Sequence, residues 1–458
     1  MAFIRKIKKK DAVYLAEVES YREDGKVKQR VIRYLGKEVD GKPEMKVLLS
    51  SVKINSSKRF LDYYVLDFLA KELTLDTLLG EHHNYILLLV YTQIISRKSI
   101  YQLPDYVDNT VLLELLKIDK LVDKNLYKAL DWLDKFDFKE IEDTLLKIML
   151  ADKKERKALV LDVTDTYFNG KNADWKKRKG KDGKVDKLIQ IALAVTQDEG
   201  FPILHKMYEG NIGNTKVFSD LLKDIRLTDF DCIILDRGMI SHELLNDLKQ
   251  LNQEVITGLR TNNKIKREFL DQIKREEIFH PSCGILLKNT HVFYQSFDYL
   301  AGKLIVIYNP EMENVKMEKL LKNPDSKSKE NVKYFGYSLL YHSTKLSEKE
   351  VIKKYFEKDI VEKAYRELKT NIHLNPVRKY RMNRVSAHIK ICYLAYAIMS
   401  FMQNKLKDIG ITANKALDQI QSVHKVELES AENNIKWSKV VTLKNEQMKI
   451  IKHLNCSV

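Results

Sequence analysis

Apolar positions change their spacing several times along the chain, and each change marks a new kind of element. Residues 13–36, VYLAEVESYREDGKVKQRVIRYLG, alternate apolar and polar on both sides of Asp24-Gly25. Two β-rich runs about such a turn predict a β-hairpin. From 58 to 150 the apolar residues recur at helical spacing, as in LDYYVLDFLAKEL and NLYKALDWLDKF, which predicts several short helices. A helix-turn-helix within 111–135 and a plain structural bundle both fit that stretch.

From about 157 the period is that of strands. ALVLDVTDTYF, LIQIALAVTQ and FPILHKMYEG read as three consecutive strands of a meander. TKVFSDLLKDI reads as a helix, DCIILD as a buried strand, SHELLNDLKQL as a helix with Ser241 at its N-cap, and QEVITGLR as a strand. The order is βββαβαβ. Three antiparallel strands followed by α/β crossovers predict an α/β fold, a mixed five-stranded sheet flanked by helices. Residues 261–345 interrupt this with the strand-like runs GILLKNTHVFYQSF and LAGKLIVIYNP, a β-rich insertion. Residues 347–372 read as one long helix opened by a capping box from Ser347 to Glu350 and ended before Pro376. RVSAHIKICYLAYAIMSFMQNKL (384–406) reads as a core helix.

The resulting division is 1–57, an N-terminal β-hairpin region; 58–150, a helical domain; 151–260, the first part of the α/β core; 261–345, the insertion; 346–406, the second part of the core; and 407–458, a helical C-terminal tail. The length alone calls for two to four domains.

Charge narrows the class. Lys and Arg number 80 against 64 Asp and Glu, a net +16, which points to a polyanionic partner such as nucleic acid. The four cysteines form no CxxC pair, so neither a zinc knuckle nor a disulfide framework is expected. The N-terminus MAFIRKIKKK is followed by no apolar segment of the signal-peptide kind, and the run ICYLAYAIMSFM (391–402) is too short to span a bilayer. A soluble cytoplasmic protein with no membrane partner is expected.

Three carboxylates carry the candidate chemistry. Asp162 stands in the middle of a buried strand, where a carboxylate is costly unless paired or bound to a metal. Asp162, Thr164 and Thr166 share one face by the period-2 rule, and Asp165 points to the other. Asp236 ends DCIILD, at the C-terminal strand edge where α/β sheets carry their ligands. If the two strands are neighbours, two like charges face each other, and a cation between them relieves the repulsion. Hard oxygen ligands suit Mg²⁺ or Mn²⁺. On the long helix Val351, Tyr355, Lys358, Glu362 and Lys369 fall within a stripe of about 60°, so an acid flanked by cations is expected on an inward-facing side. An ordinary salt-bridged face, Glu362 to Lys358, is the plain alternative.

Here the chain resembles the DDE transposases of insertion sequences, in the branch with a β-rich insertion before the final Glu and a Y-x2-R-x3-E-x6-K signature. The helix reads Tyr355-x2-Lys358-x3-Glu362-x6-Lys369, with Lys358 where that branch usually has Arg. Lys keeps the charge and loses the bidentate fork. LDVTDTYF, YEGNIGNTKVF and LDRGMIS resemble further segments of the same family, and the likeness covers roughly residues 10–410. The resemblance implies a ribonuclease H-like core and cut-and-paste transposition with two divalent ions, Mg²⁺ or Mn²⁺, held by Asp162, Asp236 and Glu362. It implies double-stranded DNA partners, the element's terminal inverted repeats and target DNA, and a homodimer in the DNA complex, nucleoid-associated when bound.

Tyr355, Lys358, Lys369 and Arg237 are candidate DNA contacts, as are Lys176, Lys177 and Arg178 in the basic loop 176–187 beside the first aspartate strand. Trp175 either stacks on a base or packs. Residues 58–150 are the expected reader of the DNA ends. His205 and His388 lack partner histidines at metal spacing and are expected to make ordinary polar contacts. The competing functions are a nuclease of the same fold, which cuts without joining, and a domesticated DNA-binding protein that has lost catalysis.

Overall fold

The computed structural model describes residues 2–9, 12–23, 25–39, 42–43, 51–150, 157–167, 177–179, 183–210, 212–225, 229–237, 239–323, 332–374, 382–431 and 436–458. The chain divides into two compact units, Met1–Phe60 with Val423–Thr442, and Leu61–Ser422 with Leu443–Val458.

The first unit is built from both ends of the chain. β1 (Ala2–Lys9), β2 (Ala12–Glu23), β3 (Lys26–Val39) and β4 (Lys42–Pro43) form a four-stranded antiparallel sheet in sequence order. The hairpin expected about Gly25 is present as β2 and β3, and Gly25 takes a positive φ of 76°, which an L side chain resists. Asp24, the other turn residue, lies outside the described residues. One face of the hairpin is a ladder of cross-strand ion pairs, Arg33 to Glu17 at 2.8 Å and Arg30 to Glu19 at 3.0 Å. β5 (Val52–Arg59) pairs with β16 (His424–Ser430), which pairs with β17 (Lys436–Val440). The expected helical tail at 407–458 is therefore corrected. Its middle is a two-stranded return to β5, hidden in the sequence because HKVELES and KWSKV alternate charged with apolar residues.

The second unit contains a large mixed sheet. Its strands are β6 (Lys157–Tyr167), β7 (Lys177–Lys179), β8 (Val185–Thr196), β9 (Pro202–Glu209), β10 (Phe230–Leu235), β11 (Glu254–Leu259), β12 (Gly284–Leu287), β13 (Thr290–Tyr299), β14 (Gly302–Tyr308) and β15 (Tyr337–His342). The order is β12-β13-β14-β15-β11-β10-β6-β8, with β7 and β9 also pairing β8. The five expected strands are its centre, in the order β9-β8-β6-β10-β11, with β8 antiparallel to β6 and β10 and β11 parallel to it. That is the ribonuclease H-like arrangement. The expected five-stranded limit is corrected, because the insertion adds its four strands to the same sheet through the antiparallel β15–β11 pair. An open edge on β11 is covered in this way.

The helices Leu61–Glu72, His83–Ile95 and Asp123–Lys135 pack with the 24-residue helix Met382–Lys405, and Lys139–Leu150 packs against β9. Among the described residues Arg384–Lys405 is long and apolar enough to cross a membrane, more than the 12-residue run suggested, but 83% of its apolar window is buried in the fold. Lys390 on this helix donates to the carbonyls of Leu133, Asp134 and Phe136 at 3.0, 2.9 and 2.8 Å, closing the C-terminus of Asp123–Lys135. Tyr393 and Tyr396 donate to the carbonyls of Pro202 and Gly200 beside the β8–β9 turn, at 3.3 and 2.6 Å. The same long helix thus holds the helical layer and the sheet. The expectation of a separate helical domain at 58–150 is corrected, since residues 61–150 share a compact unit with the sheet.

Candidate active site at the ends of two parallel strands

The central strand β6 is lined by Leu159, Val160, Leu161 and Val163, all buried. Thr164 and Thr166, on the Asp162 face, are also buried, while Asp162 and Asp165 are half-buried. β10 lies beside β6 in parallel, with Leu235 opposite Leu161. The next residue on each strand is an aspartate, so Asp236 comes abreast of Asp162 at the C-terminal end of β10. Neighbouring strands are about 4.8 Å apart, which brings the two acids close.

Asp236 is met by the third element. Lys358 Nζ donates to its Oδ1 at 3.0 Å, and the Tyr355 hydroxyl lies at 3.4 Å from the same oxygen. Burial alone would raise the Asp236 carboxyl. The Lys358 bond and charge, with the Arg237 amide and guanidinium, outweigh it and hold the carboxyl below its usual range. Burial, followed by the Asp236 charge, pushes the Tyr355 phenol up. Gly258 on β11 makes this approach possible, since a Cβ there would lie 2.4 Å from the Tyr355 hydroxyl and 3.0 Å from Arg237 Cβ.

The expected single helix over 347–372 is corrected. It is a helix Glu348–Phe356 opened by the Ser347–Glu350 capping box, a second helix Asp359–Arg366, and a π turn over Glu367–Asn371. At the junction Lys358, Ile360 and Val361 bond three residues back, at 3.2–3.3 Å. A straight helix cannot meet anchor points spread over strands of a twisted sheet, and the two irregularities allow it to bend onto them. Beyond the break, Tyr365 OH donates toward the carbonyls of Asp162 at 2.6 Å and Ile191 at 3.0 Å. Lys369 Nζ reaches Thr164 Oγ1 at 2.5 Å and the Asp165 carbonyl at 3.0 Å.

Glu362 lies between these anchors and is exposed, which corrects its expected inward orientation. Val361, Ala364, Tyr365 and Leu368 take the buried face instead. Lys358 pairs with Asp236 rather than with Glu362. Tyr355, Lys358 and Lys369 are therefore gathered on the two aspartate strands. Arg237 is exposed and lines a small cavity with Ser241, Arg260 and Asn262.

Of the basic stretch 176–187, expected to be a loop, the described residues Lys177–Lys179 instead form β7, which pairs with the start of β8, Arg178 opposite Asp186. Lys177 is exposed on it, and Lys184 pairs with Asp186 at 3.2 Å. Lys176 and Trp175 lie outside the described residues, as does the side chain of Arg178. His205 bonds Glu142 through Nδ1 at 2.8 Å and stacks on Tyr393, and His388 lies 3.7 Å from Cys392 Sγ. Both make the ordinary contacts expected of them.

The donor chemistry of Asp162, Asp236 and Glu362 suits a hard divalent cation. Their closure is another matter. Among the described residues no group of three His, Cys, Asp or Glu side chains could hold one ion. The Lys358 ammonium supplies the positive charge at Asp236. Sequence reasoning missed Tyr365 and Gly258, and it placed Thr164 on the Asp162 face without giving it the Lys369 contact. The available signal for Tyr365 was its place three residues after Glu362 on a face otherwise apolar, since a buried phenol must find a partner.

The transposase DDE domain family matches residues 153–398, and the N-terminal domain of IS1634 family transposases matches residues 4–58. No curated protein matches the chain. Among solved structures, a piggyBac transposase synaptic complex with hairpin DNA is 14% identical at a TM-score of 0.42, covering 79% of this chain and 76% of that one. A Mos1 transposase paired-end complex with the left transposon end is 13% identical at a TM-score of 0.15, covering 35% and 58%. The family assignment rests on the two sequence matches, the first spanning more than half the chain and all three candidate acids: this chain belongs to the DDE-domain transposases of insertion sequences.

Proposed function

We propose that the protein cuts and rejoins DNA at the ends of its insertion sequence, with Asp162, Asp236 and Glu362, which are not gathered on one point without an ion, drawn together by one or two divalent ions, Mg²⁺ or Mn²⁺, when these bind. The observation that carries this reading is the register that sets Asp236 abreast of Asp162, with Lys358 and Tyr355 from the Glu362 segment meeting Asp236. Bound ions of this class stabilise the attacking and leaving oxygens of an in-line phosphoryl transfer. The chain's own groups do the rest. Lys358, Lys369 and Arg237 bind the phosphates flanking the reacting one, with Lys acting as a point charge and Arg as a fork. Tyr355 orients the Asp236 carboxylate. The exposed ribbon that carries Lys177, with its neighbours Lys176 and Arg178, contacts the backbone further along. The partners are double-stranded terminal inverted repeats and target DNA, engaged by a homodimer.

The test uses the full chain on DNA carrying the element ends, in Mg²⁺. The wild type nicks the ends and joins them to target DNA. Glu362→Gln keeps the shape and loses the anionic ligand, so it is expected to bind the ends and not cut them. Cutting by Glu362→Gln at the wild-type rate overturns the site. Cutting without joining by the wild type identifies a nuclease instead.

A further inference from the structure

The Glu362 helix, Asp359–Arg366, has eight residues and lies between the junction at Lys358 and the π turn at Glu367–Asn371. Two turns interrupted at both ends have too few internal hydrogen bonds to hold a fixed direction. Something outside the helix must set the direction of Glu362. Three side chains reach across to the strands. Lys358 and Lys369 are only half-buried and act through long flexible stems. Tyr365 is 5% exposed, has two rotatable bonds and places its hydroxyl on the carbonyls of Asp162 at 2.6 Å and Ile191 at 3.0 Å. Those carbonyls belong to β6 and β8. One of them is part of the same residue as a candidate acid.

Tyr365 follows Glu362 by three residues, which separates them by about 60° around the axis and about 4.5 Å along it. Rotation or sliding of the helix therefore moves Glu362 and breaks the Tyr365 bond together. We infer that Tyr365 is the positioning residue that references the Glu362 carboxylate to the Asp162 strand. The inference rests on Asp162 and Glu362 being the acids that hold the cation. It assigns Tyr365 no contact with DNA.

The experiment compares Tyr365→Phe, Tyr396→Phe and Glu362→Gln in the full chain. Tyr396 is the matched control: it is also buried and also donates to a carbonyl, that of Gly200, but at the β8–β9 turn. Two readouts are taken, Mn²⁺ binding by titration without DNA and the Mg²⁺ concentration giving half-maximal end cleavage. Groups that orient metal ligands typically change metal affinity about 10–100-fold when removed, and Tyr365→Phe is expected to weaken both readouts by at least about tenfold. Its end binding, and its cleavage rate at saturating Mg²⁺, should stay within about threefold of wild type. Tyr396→Phe should leave both metal readouts unchanged. Wild-type metal dependence in Tyr365→Phe, or an equal shift in Tyr396→Phe, overturns the inference. If Glu362→Gln still cuts, the site itself is wrong; if it is inactive while Tyr365→Phe matches wild type, only the positioning role fails. Should Tyr365→Phe not fold, native-state hydrogen exchange on the wild type decides. Amides of 359–366 should open together with those of β6, and independent, much faster opening of the helix overturns the inference.

Discussion

Lys358 places its ammonium 3.0 Å from Asp236 Oδ1, so the residue expected to bind DNA phosphate is, without DNA, the counter-charge of a candidate metal ligand. Binding DNA through Lys358 requires giving up that ion pair. If the exchange occurs, Lys358→Met should lower the slope of log affinity against log salt by about one unit, as for one lost phosphate contact. End-DNA binding measured over a range of salt checks this. An unchanged slope would keep Lys358 on Asp236 throughout.

The close approach at Gly258 gives a steric prediction. Gly258→Ala should destabilise the protein by about 1–3 kcal/mol, because the added methyl meets the Tyr355 hydroxyl. Tyr355→Phe removes the clashing oxygen and should recover part of that loss when the two changes are combined. Denaturant titration of the single and double variants measures the coupling, and strict additivity would show that the methyl is relieved elsewhere.

Lys390 tests whether the helical layer and the sheet form one unit. Its ammonium satisfies three carbonyls at a helix end, and burial pulls its pKa below the usual lysine value. Lys390→Met leaves those carbonyls without their donor and should cost about 1.5–3 kcal/mol. Unfolding should remain a single transition for residues 61–422 as followed by hydrogen exchange. Separate melting of the helices would contradict the shared unit.

Asp220 carries the pH prediction. Hydrogen bonds first from Lys206 and then from Tyr208, at 2.9 Å each, lower its carboxyl below the usual aspartate value. Its stabilising contribution is therefore complete above the unfolded pKa of about 3.9 and is lost as pH falls through the lower folded value. Both groups are partly exposed, so Lys206→Met should cost no more than about 1 kcal/mol near neutrality. The melting-temperature difference from wild type should shrink below about pH 4. A difference that grows on acidification would reverse the sign.

The strand acids were legible because an aspartate in a strand as apolar as β6 violates its surroundings, and because Asp236 ends an equally apolar strand. The five central strands followed from their period. What escaped were features set by tertiary geometry. The break at Lys358 depends on where Asp236 and Asp162 lie in space, and nothing in KKYFEKDIVEK marks it. The joining of the insertion to β11 depends on strand pairing at a distance. β16 and β17 were read as helix because their charged alternation carries little apolar signal. Glu362 was singled out by its spacing and expected on the inward side, because the stripe assumed a straight helix; the break turns it outward.

The sheet of β5, β16 and β17 sets an order of events during synthesis. Asn55 and Glu429, hydrogen-bonded across it, are 374 positions apart. Closing an unstructured loop of that length costs roughly 5 kcal/mol. The helices Leu61–Glu72 and Ala413–Ile420, which touch inside the larger unit, bring the two flanks together beforehand. A nascent chain must therefore fold residues 61–422 before β5 can find its partner. A polypeptide released before residue 423 retains Asp162, Asp236 and Glu362 but leaves β5 an unpaired strand edge, the kind of surface on which chains aggregate.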